Sequence, residues 1–198
     1  LFRDLDGSTY VPPAVTTSQE TFGLELIGNI DITRNFNLNF TATFQDSDAS
    51  DNGFWVENGL GRADDEFVAL PDGSSENTPN IQSAVTGTYN FGGMMEGMQT
   101  FVTWRFMDDR PANSANGFDL ASFHTVDVGA SWAATESMMI NVNVNNLFDN
   151  NGVMSWQGTG NFNGLNRNSF TSEPAGEVWS VVTQQPRAVF LSASYRFN

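Results

Sequence analysis

The sequence predicts an all-β chain that forms part of an antiparallel, up-and-down transmembrane β-barrel. Three observations predict it. Apolar and polar residues alternate with a period of two along most of the chain, and no stripe of period 3.6 emerges. The connections between the alternating runs are short on one side and long on the other, as in membrane barrels. The composition combines 13% aromatic residues and 22 Asn with a charged fraction of 16%, low against the roughly 25% usual for soluble domains.

The first strand is predicted over 20–32, where Phe22, Leu24, Leu26, Gly28, Ile30 and Ile32 alternate with Glu25, Asn29 and Asp31. After a turn at Thr33-Arg34-Asn35, the second covers 36–46 and sets Phe36, Leu38, Phe40, Ala42 and Phe44 against Asn37, Asn39, Thr41, Thr43 and Gln45. The third, 80–91, opposes Ile81, Val85, Tyr89 and Phe91 to Gln82, Thr86, Thr88 and Asn90. The fourth, 98–107, carries Met98, Val102, Trp104 and Phe106 against Gln99, Thr103 and Arg105. The fifth, 122–132, opposes His124, Val126, Val128 and Trp132 to Thr125, Asp127 and Ser131. The sixth, 138–148, sets Met138, Ile140, Val142 and Val144 against Asn141, Asn143 and Asn145. The last, 187–197, opposes Val189, Leu191, Tyr195 and Phe197 to Ser192, Ser194 and Arg196. Short connections follow at 33–35, 92–97 and 133–137; long, extracellular loops are expected at 1–19, 47–79, 108–121 and 149–186.

The polar face holds Asn, Gln, Thr and Ser where a water-soluble sandwich would carry Lys and Glu, which suits a lumen filled by water or by a plug. About ten residues per strand, at about 3.3 Å each and tilted about 40°, span the apolar band of about 25 Å. Placing the short turns at the bottom gathers Phe36, Tyr89, Phe91, Trp132, Tyr195 and Phe197 at the lower rim, and Phe22, Phe44, Trp104, Phe106 and Phe148 at the upper one. Two aromatic girdles are a mark of such barrels. Glu25, Asp31, Arg105, Asp127 and Arg196 all take lumen parity; Arg187 takes lipid parity at a strand end, where the cost of a charge is small. An antiparallel soluble sandwich stays open at this point.

Several classes are excluded. The net charge is -15, with eight Arg, no Lys and no Cys. Without a basic patch there is little to neutralise phosphates, so nucleic acid is not an expected partner. Thiol nucleophiles, disulfides and zinc-thiolate sites are absent, and no apolar run reaches the length of a transmembrane helix. The chain opens at Leu1 without a signal-peptide pattern and is expected to be a mature or truncated product.

Asn141-Val-Asn-Val-Asn-Asn-Leu-Phe-Asp149, with a last strand ending Ser194-Tyr-Arg-Phe197, resembles the C-terminal end of TonB-dependent outer-membrane receptors. Gly23-Leu-Glu-Leu26 through Asn39-Phe-Thr-Ala-Thr43 is similar to a hairpin of the same barrels, and Thr125-Val-Asp-Val-Gly129 to their third-last strand. The resemblance implies seven C-terminal strands of a barrel of about 22, without the plug and TonB box that the family keeps nearer its N-terminus. It implies a Gram-negative outer membrane with its lipid and lipopolysaccharide, coupling to the TonB–ExbB–ExbD complex through the plug, and a small-molecule or oligosaccharide ligand such as a siderophore or cobalamin. It also implies that the barrel-assembly machinery reads Tyr195 and Phe197, although Asn198 follows where the family usually ends on the aromatic residue.

For ligand contact the loop residues Trp55, Arg62, Asp64, Trp156 and Trp179 are candidates, because exposed rings stack on sugars and chelate aromatics; such rings also anchor loops to one another. Asp46, Asp48 and Asp51 offer hard oxygens to calcium, but Ser50 and Asp51 break the EF-hand pattern. Nine acids and Arg62 occupy 46–80, and 18 of the 23 acids fall in 1–20, 46–80, 107–122 and 149–187, giving a solvated, cation-attracting outer surface. His124 would need Ser122 or Ser114 beside it for hydrolase chemistry, and an interfacial His at a strand start is the simpler reading. Gly158 to Gly164 lacks the Lys and helix of a phosphate loop. The expectation is a non-enzymatic uptake receptor with no cofactor. A passive porin-like channel and a secreted β-sandwich adhesin or carbohydrate-binding module are the alternatives.

Overall fold

In the computed structural model, which describes residues 2–4, 6–51, 53–56, 65–113, 116–156 and 181–197, one antiparallel sheet organises the chain. Its long strands are β1 (Ser18–Asp31), β2 (Phe36–Ser50), β3 (Ile81–Asn90), β4 (Met98–Met107), β5 (Phe123–Thr135), β6 (Met138–Asn145) and β7 (Ala188–Tyr195). They pair in strict sequence order, and Gly73–Ser74 adds a short pairing to β2. Each strand therefore meets its chain neighbour, the up-and-down connectivity of a barrel wall. Among the described residues β1 and β7 are the two edges of this sheet.

Pairing preserves the two faces. On one, Gly28, Phe40, Val85, Trp104 and Val126 lie in one cross-strand row, and Ile30, Leu38, Gly87, Val102, Val128, Val144 and Val189 in the next. Among the described residues no element covers this face: Ile30, Val102, Trp104 and Val189 are exposed, Val189 at 67%, and Leu38, Phe40, Val85, Val126, Val128 and Val144 are half-buried. That exposure suits hydrocarbon as solvent. Trp104 stacks on Phe106, and Tyr89 meets Phe91 edge to face.

The opposite face is bound laterally. Asn29 donates to Asn39 (2.8 Å), Asn39 to Asn37 (2.6 Å) and Asn37 back to Asn29 (2.6 Å), while Asn37 also reaches Asp31 (2.7 Å). Thr86 and Thr103 share a hydrogen bond at 2.9 Å, and Gln99 donates to Asn90 at 2.8 Å. Amide and hydroxyl side chains at cross-strand distance satisfy each other without carrying charge. At Gly129 two neighbours require the missing side chain: an added Cβ would meet Asn143 Oδ1 and, at 2.5 Å, Phe101 Cε1.

The short turns are made by local chemistry. Thr33 Oγ1 accepts from Asn35 N (3.2 Å) and Phe36 N (3.0 Å) between β1 and β2. A single 3₁₀ turn, Gly93–Met95, lies between β3 and β4, and Gly97, whose φ of +82° is in the left-handed region, leads into β4. Ser137 N donates to Thr135 Oγ1 between β5 and β6.

Two boundaries differ from the alternation pattern. The ladder of β1 and β2 runs on past 46 through Glu20↔Asp48 and Ser18↔Ser50, so Asp48 sits on a strand and not in a loop. Acidic side chains interrupt the apolar pattern there without interrupting backbone pairing, since that stretch extends past the apolar band. The sixth strand stops at Asn145, because Asn146 (φ 48°) and Asp149 (φ 56°) turn the chain.

The long connections carry structure of their own. Gly53–Val56 pairs with Glu66–Ala69, Arg110–Pro111 with Asp119–Leu120, and Val153–Trp156 with Val181–Thr183. Most of the buried residues, among them Ala49, Ala112, Leu120, Ser47, Ser75, Arg110, Asn113 and Asn146, gather at this end of the sheet. The tightest packing of the described chain lies there and not along the wall.

Candidate functional site

Three features meet at the long-loop end. The first is Arg110. Its guanidinium is buried at 2% accessibility. Nε donates to Asn77 Oδ1 at 2.9 Å, and Nη2 to the carbonyls of Val153 (2.6 Å) and Met154 (2.7 Å). Its Cζ lies 5.7 Å from the centroid of the Phe123 ring. One side chain thus joins the connection before β3, the one after β4 and the one after β6. Burial pulls its pKa down from the usual arginine value, yet the group stays charged at any working pH. Asn116 ties the same two connections, before β3 and after β4, by accepting from Ser74 N (3.0 Å) and donating to Ser74 O (2.9 Å).

The second is the turn that closes β6. Asn146 is 2% accessible. Its Nδ2 donates to Asn150 O (2.9 Å) and Gln185 O (2.8 Å), and its Oδ1 accepts from Asn150 N (2.9 Å). Asp149 Oδ1 accepts from Arg187 N at 2.8 Å. The Asn-Leu-Phe-Asp element therefore ties the start of the longest connection to its end.

The third is on the polar wall. Arg105 and Asp127 form an ion pair through Nη1 and Oδ2, and Asp127 Oδ1 accepts from Asn146 N at 2.8 Å. Below the loops lies a cavity of about 330 Å³, at the small end of the range for ligand pockets. Glu25, Thr43, Gln82 and Arg105 form its wall, and Phe123 and Met154 overhang it.

The residues singled out in the sequence distribute differently. Trp55 stands in the Gly53–Val56 strand with its ring 5.4 Å from that of Phe67, beside a second cavity of about 570 Å³ shared with Asp51 and Asp72. Trp156 packs edge to face on Phe118 at 5.7 Å. Arg62, Asp64, Trp179 and Ser114 lie outside the described residues. Asp46 and Asp48 share one face of β2 while Asp51 follows its end; among the described residues no three His, Asp or Glu side chains come together to hold a metal ion. His124 faces the apolar side opposite Phe106, and no hydrogen bond links it to Ser122. Tyr195 and Phe197 touch edge to face at 4.9 Å, both exposed. Sequence reasoning placed Glu25, Arg105 and Asp127 on one face and marked 146–149 by resemblance, but missed Arg110 and what Asn146 holds. The one local signal for the latter was an Asn and an Asp three apart at a strand end, both tolerant of the left-handed conformation.

A sheet that is apolar and exposed on one face, polar and laterally hydrogen-bonded on the other, is the wall of a membrane-spanning β-barrel. Residues 2–147 match the family described as TonB dependent receptor-like, beta-barrel, and the chain belongs to that family. Its setting is therefore the Gram-negative outer membrane. No curated protein matches the sequence. Among solved structures, the chain is similar to the siderophore receptor PiuA from Acinetobacter baumannii, with TM-score 0.66 and 17% identity over 89% of this chain and 22% of that one. It is similar to the ferric yersiniabactin uptake receptor FyuA from Yersinia pestis, with TM-score 0.66 and 15% identity over 92% and 24%. The ferric-catecholate import receptor Fiu from E. coli K12 gives TM-score 0.59 and 15% identity over 99% and 23%. At these identities the likeness is one of fold, and the chain spans less than a quarter of each receptor.

Proposed function

We propose that the chain is the C-terminal wall of an active-transport receptor that takes up a scarce solute using TonB-coupled energy. The carrying observation is the lumen face. Ile27 and Phe190 hold lumen parity, opposite Thr41 and Asn143, yet are 73% and 50% accessible. Phe101 lies on the same face, opposite Gly129. An open water-filled channel gives no reason for large apolar side chains on its inner wall, whereas a plug packed inside the barrel would cover them. The family and the fold of the siderophore receptors support the same reading.

In this reading the long connections face outward. Trp55, Arg62, Asp64, Trp156 and Trp179 contribute to the ligand vestibule, and the apolar face meets outer-membrane lipid with lipopolysaccharide above it. Tyr195 and Phe197 form the strand end read by the barrel-assembly machinery. The solute is a siderophore, cobalamin, an oligosaccharide or a compound of similar size.

The test is uptake by cells carrying the full receptor, with and without a working TonB–ExbB–ExbD complex. The probes are ferric catecholate and hydroxamate chelates, cobalamin, maltooligosaccharides and short linear peptides. Saturable accumulation of one probe that disappears without TonB is expected. Uptake that ignores TonB and rises linearly with outside concentration would make the protein a passive channel.

A further inference from the structure

Arg105 is the sole Arg within the seven long strands, and the chain has no Lys. Asp127 occupies its Nη1, while Nε and Nη2 make no hydrogen bond among the described residues. Its side chain remains 54% accessible. Glu25, exposed on the same face, has neither an ion pair nor a hydrogen bond among the described residues. These two opposite charges, one unpaired and one half used among the described residues, line the same cavity.

Their separation follows from the register. Glu25 pairs with Thr43, Thr43 with Gln82, and Gln82 with Met107, two residues from Arg105. Three strand spacings and two residues along the strand give about 16 Å between their Cα positions. Along that stretch Thr41, Thr43 and Gln82 supply hydroxyl and amide groups, and Phe123 and Met154 close the upper side. A simple anion would meet Glu25 at one end, and a simple cation would leave the guanidinium half used. A solute with a positive and a negative group at matching distance satisfies both.

We propose that this wall cavity is a subsite for an extended dipolar solute, cationic end at Glu25 and anionic end at Arg105, for which a linear peptide of about four residues is the simplest chemical match. Such a peptide spans about 13–14 Å when extended, within the reach of two long side chains whose Cα positions stand about 16 Å apart, and its amides find partners on Thr43 and Gln82. Asp127 fixes the guanidinium from behind and is itself fixed by Asn146 N. The free Nε and Nη2 edge is then positioned for a two-point contact with a carboxylate. The cavity lies under Met154 and Gln184, on the loop side of the wall, where a solute arrives in the uptake reading on which this proposal rests.

The experiment is calorimetric titration of the full-length receptor in detergent with tetra-alanine, N-acetyl-tetra-alanine and tetra-alanine amide. The proteins compared are the parent, Glu25→Gln and Arg105→Gln. Tetra-alanine is expected to bind the parent. Acetylation should weaken that binding roughly threefold to tenfold and should weaken binding to Glu25→Gln no further. Amidation should couple to Arg105→Gln in the same way. Absence of binding at millimolar peptide overturns the proposal, as do losses that multiply instead of coinciding. If the substitutions lower the receptor's thermal midpoint but leave peptide affinity unchanged, the charges serve a protein segment inside the barrel and the proposal falls. TonB-independent uptake would sink the transport reading while leaving this binding cycle intact.

Discussion

Replacing Arg110 by Met isolates the contribution of the buried guanidinium, since Met keeps the length of the stem and removes every donor. The variant deletes the hydrogen bonds to Asn77 Oδ1, Val153 O and Met154 O and the contact with the Phe123 ring. Hydrogen bonds from a charged donor contribute about 1.5–3 kcal/mol each before the cost of burying the charge is subtracted, and that cost cancels much of the sum. The carbonyls left behind lose their partners in a buried setting, at about 1–3 kcal/mol in total. A net loss of about 2–4 kcal/mol is expected, confined to the loop cluster, because none of the broken bonds joins two wall strands. Hydrogen exchange read by mass spectrometry resolves this spatially. Peptides covering 75–80 and 150–156 should exchange about 30-fold to 1,000-fold faster, as 2–4 kcal/mol implies, while those covering β3 and β4 keep their protection. Unchanged exchange in both loop peptides would refute the clamp, and equal acceleration in the wall would show that Arg110 supports the barrel itself.

Three further outcomes follow from the same geometry. Gly129→Ala forces a Cβ against Asn143 Oδ1 and the Phe101 ring, so a loss of about 1–3 kcal/mol is expected, visible as a lower unfolding temperature of the heat-modifiable band in electrophoresis; an unchanged temperature contradicts the close approach. Val102→Arg places a charge in the middle of the apolar face, where Val102 is 50% accessible, and should cost about 2–4 kcal/mol in folding into liposomes; a variant that inserts as well as the parent would count against that face meeting lipid. The Asp6 carboxyl is held below its ordinary 3.8 by hydrogen bonds from the side chain and backbone of Ser8. A depressed carboxylate stabilises the folded form above the ordinary value and ceases to as pH falls through the depressed one. Exchange at the Ser8 amide should therefore show a step below about pH 4 that Asp6→Asn abolishes.

The wall was legible in the sequence because a strand's two faces are written in adjacent residues. Phe36 to Gln45 shows both in ten positions, and the structure pairs them as the alternation requires. The aromatic rims followed from parity and loop length. The loop cluster was not legible: Arg110 reaches partners 33 to 44 residues away, and no local pattern marks such a choice. Asp48 misled because acids weaken the apolar signal without preventing backbone pairing. The Asn content had a second cause beyond the polar wall, since Asn77, Asn116 and Asn146, with Asp51 and Asp149, are the non-Gly residues at positive φ among the described ones.

The stem held by Asn146 has a consequence for change in this protein. Because the backbone at 150 and 185 is fastened to one side chain, the ends of the longest connection are fixed independently of whatever chain runs between them. Each doubling of that chain then costs only about 0.6 kcal/mol in closure entropy. Loops of other length or chemistry can be grafted between 157 and 180 with β6 and β7 still in register. The wall is insulated from its longest connection, and recognition can diversify there without the barrel being redesigned.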